Sequence, residues 1–399
     1  MEIKDIDLSA LGRTTEEIYS LNELRAKLAE HRPLRIKYGV DVTAPFLHIG
    51  HAVNLWMMRY LQEHGHKVVF LIGDFTTRIG DPTGKSQTRK VIDREEIERN
   101  AEEFIKQVGR VLLTNRDVFE IRRNSEWFDR MHVDEFLSLL SLVTHSKLIQ
   151  RDMFQKRIQT GSEIYLHEML YPILQGYDSV MLNSDLTIVG TDQLFNELMG
   201  RFFQEKFDQS PQVVMTTKIT PGLDGVEKQS KSLGNYIAIT DEARNMYGKI
   251  MSIPDHLIVP YLTVYTLVPL EVVQQIESGT SDGSLNPMEA KKLLARSLVE
   301  RYYGAQVAET EEQWFKETFS QRLIPSDIPE IKVSEPLTAV ELLQQCLTDS
   351  SKAAIRRLLQ QGGVRLNDTK LSLSEERMSI KRGDILKVGK RQWFKLMPD

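Results

Sequence analysis

The spacing of apolar residues switches between strand-like and helix-like periods early in the chain. Residues 34–40 alternate and are β-prone, which predicts a buried strand. From His48 and His51 onward, apolar residues recur every three or four positions, so a helix is predicted to begin there. Residues 66–72 form a continuous apolar run, as in strands buried on both faces of a parallel sheet. This strand, helix and strand predict a βαβ unit of an α/β fold.

The remaining periodicity divides the chain into three predicted domains. A parallel-sheet domain spans residues 1–225, with a helical lead-in over residues 14–30 and a helical insertion over about residues 125–160. Residues 226–325 contain a loop and then mostly helical periods, and a Pro-containing linker follows at residues 325–330. Residues 337–399 begin with two helical segments and end with strand-like runs, which predicts a small α+β domain.

The turn before the first long helix has features of a phosphate site. A helix that starts directly above a parallel strand presents backbone N–H groups and the positive end of its dipole. Gly50, between His48 and His51, leaves room for a ligand, and each imidazole can donate to a phosphate oxygen. His48 and His51 can equally be helix caps that face water, and this motif alone leaves both interpretations open.

A second cationic cluster lies far along the chain. Residues 228–232 read Lys-Gln-Ser-Lys-Ser, within a loop that follows a strand-like segment at residues 212–215. Lys228 and Lys231, three positions apart and accompanied by small hydroxyl residues, can close on a triphosphate. The two clusters together therefore favour a nucleotide site more strongly than either does alone.

One predicted helix carries three polar side chains on a single face. Tyr171, Gln175 and Asp178 are four and three positions apart and so lie on one side of the helix. A phenol, an amide and a carboxylate bordered by leucines can line a pocket for a polar aromatic molecule. An exposed polar stripe explains the same spacing equally well.

Two loops add candidate polar groups at the carboxyl ends of predicted strands, where open α/β sheets bind ligands. In the first, Asp81 can hold an ammonium group, and Lys85 or Arg89 can hold a pyrophosphate. Taken by itself, that Gly-Asp-Pro-Thr-Gly segment is better explained as an ordinary turn. In the second, Asp192 follows Gly190 and can cap the next helix or bind ribose hydroxyls.

Composition narrows the class of protein. The chain has 399 residues, of which 41% are hydrophobic and 27% charged, as in ordinary globular proteins. No apolar run approaches a membrane span, and the first residues lack the features of a signal peptide, so a cytoplasmic location is predicted. A single cysteine, Cys346, excludes an intramolecular disulfide and a multi-cysteine zinc site.

Charge is distributed unevenly along the chain. The net charge is −5, but residues 341–399 carry 12 Lys and Arg against 7 Asp and Glu. On that tail, Lys352, Arg356 and Arg357 fall on adjacent turns of one predicted helix and can follow a phosphate backbone. A basic tail on an acidic body suggests contact with nucleic acid, although an ordinary solvated surface also accounts for it.

Taken together, these motifs resemble those of the bacterial tyrosyl-tRNA synthetases. His-Ile-Gly-His at residues 48–51 and Lys-Gln-Ser-Lys-Ser at residues 228–232 are similar to the paired nucleotide motifs of class I aminoacyl-tRNA synthetases, and the face of residues 171–178 is similar to the tyrosine-binding helix. The tail from about residue 337 resembles an S4-like RNA-binding domain. The resemblance implies a Rossmann-like catalytic domain, an α-helical domain and this S4-like domain.

The resemblance also assigns roles to individual residues. For catalysis it implies His48, His51, Lys85, Arg89, Lys228 and Lys231; for ATP binding, Gly39, Asp41, Thr43, Gly50, Gly190, Asp192 and Lys231; for tyrosine binding, Asp81, Tyr171, Gln175, Asp178 and Gln193; and for RNA binding, Lys352, Arg356 and Arg357. Asp178 would accept a hydrogen bond from the phenol.

The implied reaction needs electrostatic stabilisation rather than a protein nucleophile. The carboxylate of L-tyrosine attacks the α-phosphate of ATP, pyrophosphate leaves, and the tyrosyl group then passes to the 3′ end of tRNA(Tyr). The resemblance implies ATP with Mg²⁺ as a substrate complex, no structural metal, and a homodimer built on the insertion.

The chain departs from the family pattern at several positions. Gln229 replaces the usual Met of the late lysine motif, and Val189 stands where a glycine usually precedes Gly190. Lys37 stands where many members have a tyrosine that contacts the phenol, so the second contact to that hydroxyl is unassigned in the region of Lys37 and Tyr38. These departures leave two alternatives, a paralogue that activates a tyrosine analogue and a non-catalytic RNA-binding scaffold.

Overall fold

The structure is a computed structural model that describes residues 3–43, 46–80, 93–230, 233–320, 328–334, 336–348, 350–367, 369–374, 376–389 and 392–398. The chain divides into two units, Met1–Glu309 and Thr310–Asp399. Each unit is described by itself. The domain boundaries expected from the sequence stay a prediction.

The first unit is built on a six-stranded sheet. Its strands are β1 (Thr15–Tyr19), β2 (Arg35–Val40), β3 (Lys67–Ile72), β4 (Phe119–Arg123), β5 (Leu186–Gly190) and β6 (Val213–Thr217). They lie in the order β1-β6-β5-β2-β3-β4, and all neighbouring pairs are parallel except β1 with β6. The predicted α/β class with a parallel sheet is confirmed.

The predicted helical lead-in over residues 14–30 is wrong in its first part. Residues 15–19 form β1, which pairs antiparallel with β6, and only Leu21–Ala29 is helical. Thr15, Ile18 and Tyr19 are β-branched or aromatic and favour a strand once a sheet edge is available. Ser20 then caps the helix by accepting from the N–H of Glu23.

Helices cover the sheet and form the predicted insertion. In chain order they are α1 (Leu8–Gly12), α2 (Leu21–Ala29), α3 (Ile49–Glu63), α4 (Arg94–Val108), α5 (Ser125–Phe128), α6 (Val133–Ser141), α7 (His145–Ile149), α8 (Asp152–Gln159), α9 (Leu166–Leu182) and α10 (Leu194–Lys206). Helices α5 to α8 occupy residues 125–159, close to the insertion predicted from periodicity.

The strand order creates the position of the site. From β2 the chain proceeds through β3 to β4 on one side, and then returns to place β5 on the other side of β2. A ligand crevice is expected outside the carboxyl ends of the strands where the order reverses in this way. Here that point lies between β2 and β5, so the turns that follow residues 40 and 190 border the same opening.

After the sheet, the chain of the first unit is helical, as predicted for this region. It contains α11 (Ala243–Met251), α12 (Ile258–Tyr265), α13 (Leu270–Ser281) and α14 (Pro287–Tyr303). Helix α15 (Ala305–Phe315) begins in this unit, continues beyond its last residue, Glu309, and passes into a π-helical turn at Lys316–Ser320. The predicted helices at α11, α13, α14 and α15 are present, whereas α12 was not predicted. Its apolar residues are nearly continuous and show no clear helical period.

The second unit has the α+β content expected from its sequence. It contains β7 (Glu330–Val333), α16 (Ala339–Cys346), α17 (Lys352–Gln360), β8 (Val364–Leu366), β9 (Thr369–Lys370), β10 (Ile385–Val388) and β11 (Gln392–Pro398). The strands form one sheet in the order β7-β11-β10-β8-β9, and the two helices pack their apolar residues into a shared core with it. β7 was not predicted; its residues were assigned in part to a linker.

Candidate active site

A single cavity of about 540 Å³ collects the predicted nucleotide and tyrosine residues of the described part of the chain. Its lining includes Gly39, Asp41, Thr43, His48, Gly50, His51, Tyr171, Gln175, Asp178, Gly190, Asp192, Gln193 and Lys228. The predicted residues Asp81, Lys85, Arg89 and Lys231 lie outside the described residues. Motifs almost 180 positions apart thus meet at the carboxyl ends of β2 and β5.

The two histidines form a reciprocal cap at the start of α3. The Nδ1 atom of His48 accepts from the N–H of Gly50 at 3.1 Å, and Nδ1 of His51 accepts from the N–H of His48 at 3.3 Å. A Cβ on residue 50 would lie 2.9 Å from the His48 ring, so glycine is required beside it. The two histidines therefore cap the helix and also line the cavity, and their role toward phosphate stays a prediction.

Capping determines which ring nitrogen faces the ligand. Because Nδ1 accepts in both histidines, each neutral ring carries its proton on Nε2 as a donor. Desolvation, with the neighbouring His51 and Lys228, holds the pKa of His48 far below its usual range. The His51 ring opens into the cleft, yet desolvation by the surrounding walls and Lys228 lower its pKa to about 4. Both rings are thus neutral N–H donors at neutral pH.

Backbone pairing brings the late lysine segment to these histidines. The N–H of Ile49 donates to the carbonyl of Ile237 at 3.0 Å, and the N–H of Ile239 donates to the carbonyl of Leu47 at 3.1 Å. The lysine segment comes just before this pairing, so Lys228 is held beside the start of α3. Its Nζ lies 3.9 Å from Oδ2 of Asp192. The side chain of Lys228 is 65% exposed, so the ammonium remains open to a ligand.

Gln229 connects the lysine segment to the residues packed beneath it through two hydrogen bonds. Its side chain is buried, donates through Nε2 to the hydroxyl of Tyr265 at 2.9 Å, and accepts from the N–H of Ile237 at 3.4 Å. Tyr265 lies at the end of α12. Where the family has an apolar Met, this chain therefore has a hydrogen-bonded residue that joins the lysine segment to a helix.

The polar face of α9 lines the cavity, so the alternative of an exposed polar stripe is wrong. Tyr171 donates to Oδ2 of Asp41 at 3.0 Å, and the other oxygen of Asp41 accepts from the hydroxyl of Thr76 at 2.9 Å. Tyr171 and Asp178 are 7% and 4% exposed. Gln175 is half-buried between them.

Asp178 is enclosed by groups that follow the carboxyl end of β4. Its Oδ1 accepts from the indole N–H of Trp127 at 3.0 Å, and its Oδ2 accepts from the amide of Asn124 at 3.4 Å. Desolvation outweighs these contacts and the nearby Lys37 cation, and it raises the pKa of Asp178 to about 8. A carboxyl with this pKa takes or releases a proton near neutral pH.

A buried ion pair at the floor of the cavity was not predicted. Lys37, 1% exposed, lies 2.7 Å from Oε2 of Glu197 and donates to the hydroxyl of Ser179 at 2.8 Å. Glu197 also accepts from Nε2 of Gln175 at 2.9 Å and from Gln212 at 2.9 Å. The predicted ligand Gln175 is therefore oriented by Glu197, which the motif search missed.

Two sequence signals point to these missed residues. Glu197 is four positions after the predicted ligand Gln193, a spacing that places both side chains on one helical face. Asn124 and Trp127 follow a strand at its carboxyl end, where ligand-binding groups are expected.

The structure also decides the role of the turn after β5. Helix α10 begins after Gln193 with no side-chain cap, so the expectation that Asp192 caps it is wrong. Asp192 instead faces the cavity beside Lys228. A Cβ on residue 190 would lie 2.6 Å from Oδ1 of Asp192, so a larger residue there would push this carboxylate out of its present position.

In the second unit, Lys352, Arg356 and Arg357 are all exposed on α17, as their spacing predicts. Ser351 caps this helix by accepting from the N–H of Ala354 at 3.2 Å. Ile355 and Leu359 of the same helix are buried, so the three cations project from the opposite side.

Within the described ranges, no three His, Cys, Asp or Glu side chains are grouped as a metal site. Across the same ranges, no helix is both long enough and apolar enough to cross a bilayer.

Comparison with known proteins settles the family. The family model for "tRNA synthetases class I (W and Y)" matches residues 29–320. The chain belongs to this family. Curated proteins named tyrosine–tRNA ligase are similar over nearly the whole length: that of Moorella thermoacetica is 42% identical over 98% of this chain and 95% of its own, and that of Aquifex aeolicus is 41% identical over 98% of each.

Solved structures agree on the class I synthetase fold. A tyrosyl-tRNA synthetase from Archaeoglobus fulgidus, complexed with L-tyrosine, superposes with a TM-score of 0.59 at 21% identity, over 76% of this chain and 98% of that chain. A truncated mitochondrial tyrosyl-tRNA synthetase from Aspergillus nidulans gives 0.62 at 21% identity, over 78% and 93%. The predicted resemblance and the predicted Rossmann-like fold are confirmed.

Proposed function

We propose that this member of the class I tyrosine and tryptophan synthetase family is a tyrosine–tRNA ligase. The observation that carries the proposal is one cavity with phosphate-type donors at one end and an enclosed carboxyl at the other. His48, His51 and Lys228 supply the donors, and Asp178 supplies the carboxyl. The near-full-length similarity to curated tyrosine–tRNA ligases supports the same substrate.

At the donor end, the residues act on ATP. His48 and His51 present Nε2–H groups toward the α-phosphate, where negative charge grows as the tyrosine carboxylate attacks. Lys228 neutralises the leaving pyrophosphate, and we assign the same role to Lys231, Lys85 and Arg89. Mg²⁺, bound to ATP as part of the substrate, supplies further charge neutralisation. No protein nucleophile is needed.

The sides of the cavity position the two substrates. Gly190 and Asp192 bind the ribose, and Gly39, Asp41 and Thr43 border the nucleotide.

For the amino acid, Asp81, Tyr171 and Gln175 bind the ammonium group, and Gln193 orients the carboxylate. Asp178 accepts a hydrogen bond from the phenolic hydroxyl at the far end of the cavity. These roles place the tyrosine carboxylate next to the α-phosphate, as in-line attack requires.

The second step requires RNA, which we assign to the basic face of α17. Lys352, Arg356 and Arg357 contact the phosphate backbone of tRNA(Tyr), and residues 337–399 act as an S4-like RNA-binding domain. Domains at about residues 1–225 and 226–325 carry the catalytic fold and the helical region. We place the enzyme in the cytoplasm, where its tRNA is used in protein synthesis.

A homodimer is the proposed assembly. The helical insertion and the start of α9 carry large apolar side chains that are strongly exposed in the single chain: Val133 at 75%, Leu137 at 58%, Ile158 at 52% and Leu166 at 80%. A second copy would cover them. Light scattering is expected to show a dimer for the unaltered chain and a monomer for L137D/L166D. The control L267D, at a 72% exposed leucine of another region, should stay dimeric.

The deciding assay is amino-acid-dependent exchange of pyrophosphate into ATP, run with each standard amino acid and with tyrosine analogues. Tyrosine is expected to support exchange, and tRNA(Tyr) to be charged. Exchange with an analogue in preference to tyrosine would indicate a paralogue. RNA binding without any exchange would indicate a scaffold protein and would overturn the proposal.

The RNA face has its own test. R356A/R357A is expected to weaken tRNA binding and to reduce its salt dependence, because two phosphate contacts are lost. Exchange with tyrosine should be unchanged, since the adenylate forms in the first unit. The control K106A removes a lysine that is 81% exposed on α4 and should change neither measurement.

A further inference from the structure

The floor of the cavity holds a cation that the assigned reaction does not use. Lys37 is a strand residue of β2 that is 1% exposed, yet it lines the cavity together with Asp178. A buried ammonium is costly unless it is paired. Here Glu197 and Ser179 supply the partners, at 2.7 Å and 2.8 Å.

Lys37 and Asp178 lie at a similar depth in the cavity. At the mouth, the residue that follows β2 meets α9, because Tyr171 donates to Asp41 at 3.0 Å. Deeper in, β2 itself meets α9 where Lys37 donates to Ser179, the residue after Asp178. Lys37 and Asp41 are four positions apart, which corresponds to about 13 Å along an extended chain. An amino acid held by its ammonium at the mouth therefore reaches Lys37 and Asp178 with the far end of its side chain.

The ammonium has one donor left for a ligand. A lysine carries three N–H donors, and the described contacts of Lys37 use two of them, on Glu197 and Ser179. Glu197 is itself held by Gln175 and Gln212, each at 2.9 Å, so the direction of the ammonium is set by a rigid network.

We propose that Lys37 donates a hydrogen bond to the phenolic oxygen of the substrate, that Asp178 accepts the hydrogen bond that the phenolic O–H donates, and that Glu197 is the positioning residue that orients the lysine. The inference rests on the proposed tyrosine activation. It makes Lys37 a specificity-determining residue: phenylalanine would leave both a buried cation and a buried carboxyl without a ligand partner, which disfavours its binding.

The test compares tyrosine with phenylalanine in pyrophosphate exchange. Lys37→Met is expected to lower kcat/KM for tyrosine by about 10- to 100-fold while changing that for phenylalanine little, because only tyrosine uses the charged hydrogen bond. The control K106M should leave the ratio unchanged. Active Lys37→Met with an unchanged tyrosine-to-phenylalanine ratio would overturn the inference, whereas no exchange by the unaltered chain would overturn the proposed function instead.

A second variant protects the test against misfolding. Lys37→Met alone leaves the Glu197 carboxylate buried without its cation, so K37M/E197Q, which removes both charges, is measured beside it. The double variant is expected to remain folded and to show the same loss of discrimination. Glu197→Gln alone keeps the ammonium but weakens the contact that orients it. An intermediate loss of discrimination between tyrosine and phenylalanine is expected. If the double variant discriminates as well as the unaltered chain, the inference is wrong.

Ring-fluorinated tyrosines give a readout that a purely structural role would not move. An ammonium stabilises negative charge on the phenolic oxygen, so the more acidic phenols should gain most from Lys37. Relative kcat/KM is therefore expected to rise more steeply with phenol acidity in the unaltered chain than in K37M/E197Q. Equal slopes would contradict the contact.

Discussion

At the donor end of the cavity, the two histidines are held by their own chain neighbours: His51 accepts from the backbone of His48, three positions away. At the floor, Lys37 is held by Ser179, which is 142 positions away. The histidine cap is therefore formed as soon as α3 forms, whereas the floor exists only in the complete fold. Single substitutions of the histidines should therefore change the chemistry with little loss of stability, whereas single substitutions that break the ion pair at the floor should lower stability as well.

The largest effect on stability is expected from breaking the buried ion pair at the floor of the cavity. Glu197→Ala would leave the Lys37 ammonium buried without its carboxylate and should lower the free energy of unfolding by about 3–5 kcal/mol. At the donor end, His48→Ala removes one helix cap and should cost only about 1 kcal/mol. Urea unfolding of both variants measures the difference. Equal losses would show that the two ends do not differ in this way.

The donor end should instead control the rate. His51→Ala removes a preplaced donor to the α-phosphate and is expected to slow adenylate formation by about 10²- to 10³-fold, with little change in tyrosine affinity. Single-turnover kinetics measure both quantities. The control is His64→Ala, at the other end of the same helix, which should leave the rate unchanged.

The protonation of Asp178 at the floor is expected to make the free energy of unfolding depend on pH. Its pKa in the folded chain is about 8, above the ordinary 3.8, so the folded chain holds this proton after the unfolded chain has released it. The stability gained in this way is full below the ordinary pKa and is lost as pH rises through about 8. Because Asn does not titrate, the unfolding free energy of the unaltered chain should fall relative to that of Asp178→Asn between about pH 5 and pH 8. A constant difference across this range would show that the carboxyl is already ionised.

The smallest effect is expected at Gln229, which joins the lysine segment to α12. Gln229→Met restores the usual family residue but removes the contacts to Tyr265 and Ile237, at 2.9 Å and 3.4 Å. A loss of about 0.5–1.5 kcal/mol in transition-state stabilisation, about 2- to 10-fold in the exchange rate, is expected. Tyr265→Phe removes one of the same hydrogen bonds and should reproduce part of the loss. An unchanged rate in both variants would show that the anchor does not position Lys228.

The same comparison explains which parts of the fold and of the site could be predicted from the sequence. The strands β2 and β3 and the face of α9 follow from periodicity, because a buried strand and an amphipathic helix each impose a regular spacing. β1 was taken for a helix because its pairing partner, β6, lies almost 200 positions away. The ring nitrogens that face the ligand follow from backbone hydrogen bonds, which no residue spacing describes.

By itself, the sequence determined the family, the two cationic motifs and the shared face of Tyr171, Gln175 and Asp178. These features depend on residue types and on local spacing, which the chain carries in any environment. Only the tertiary structure decided that Lys37 is paired with Glu197 and lines the cavity together with Asp178. The physical reason is burial: a lysine in a strand needs a partner only once the fold removes it from water, and that partner can come from anywhere in the chain.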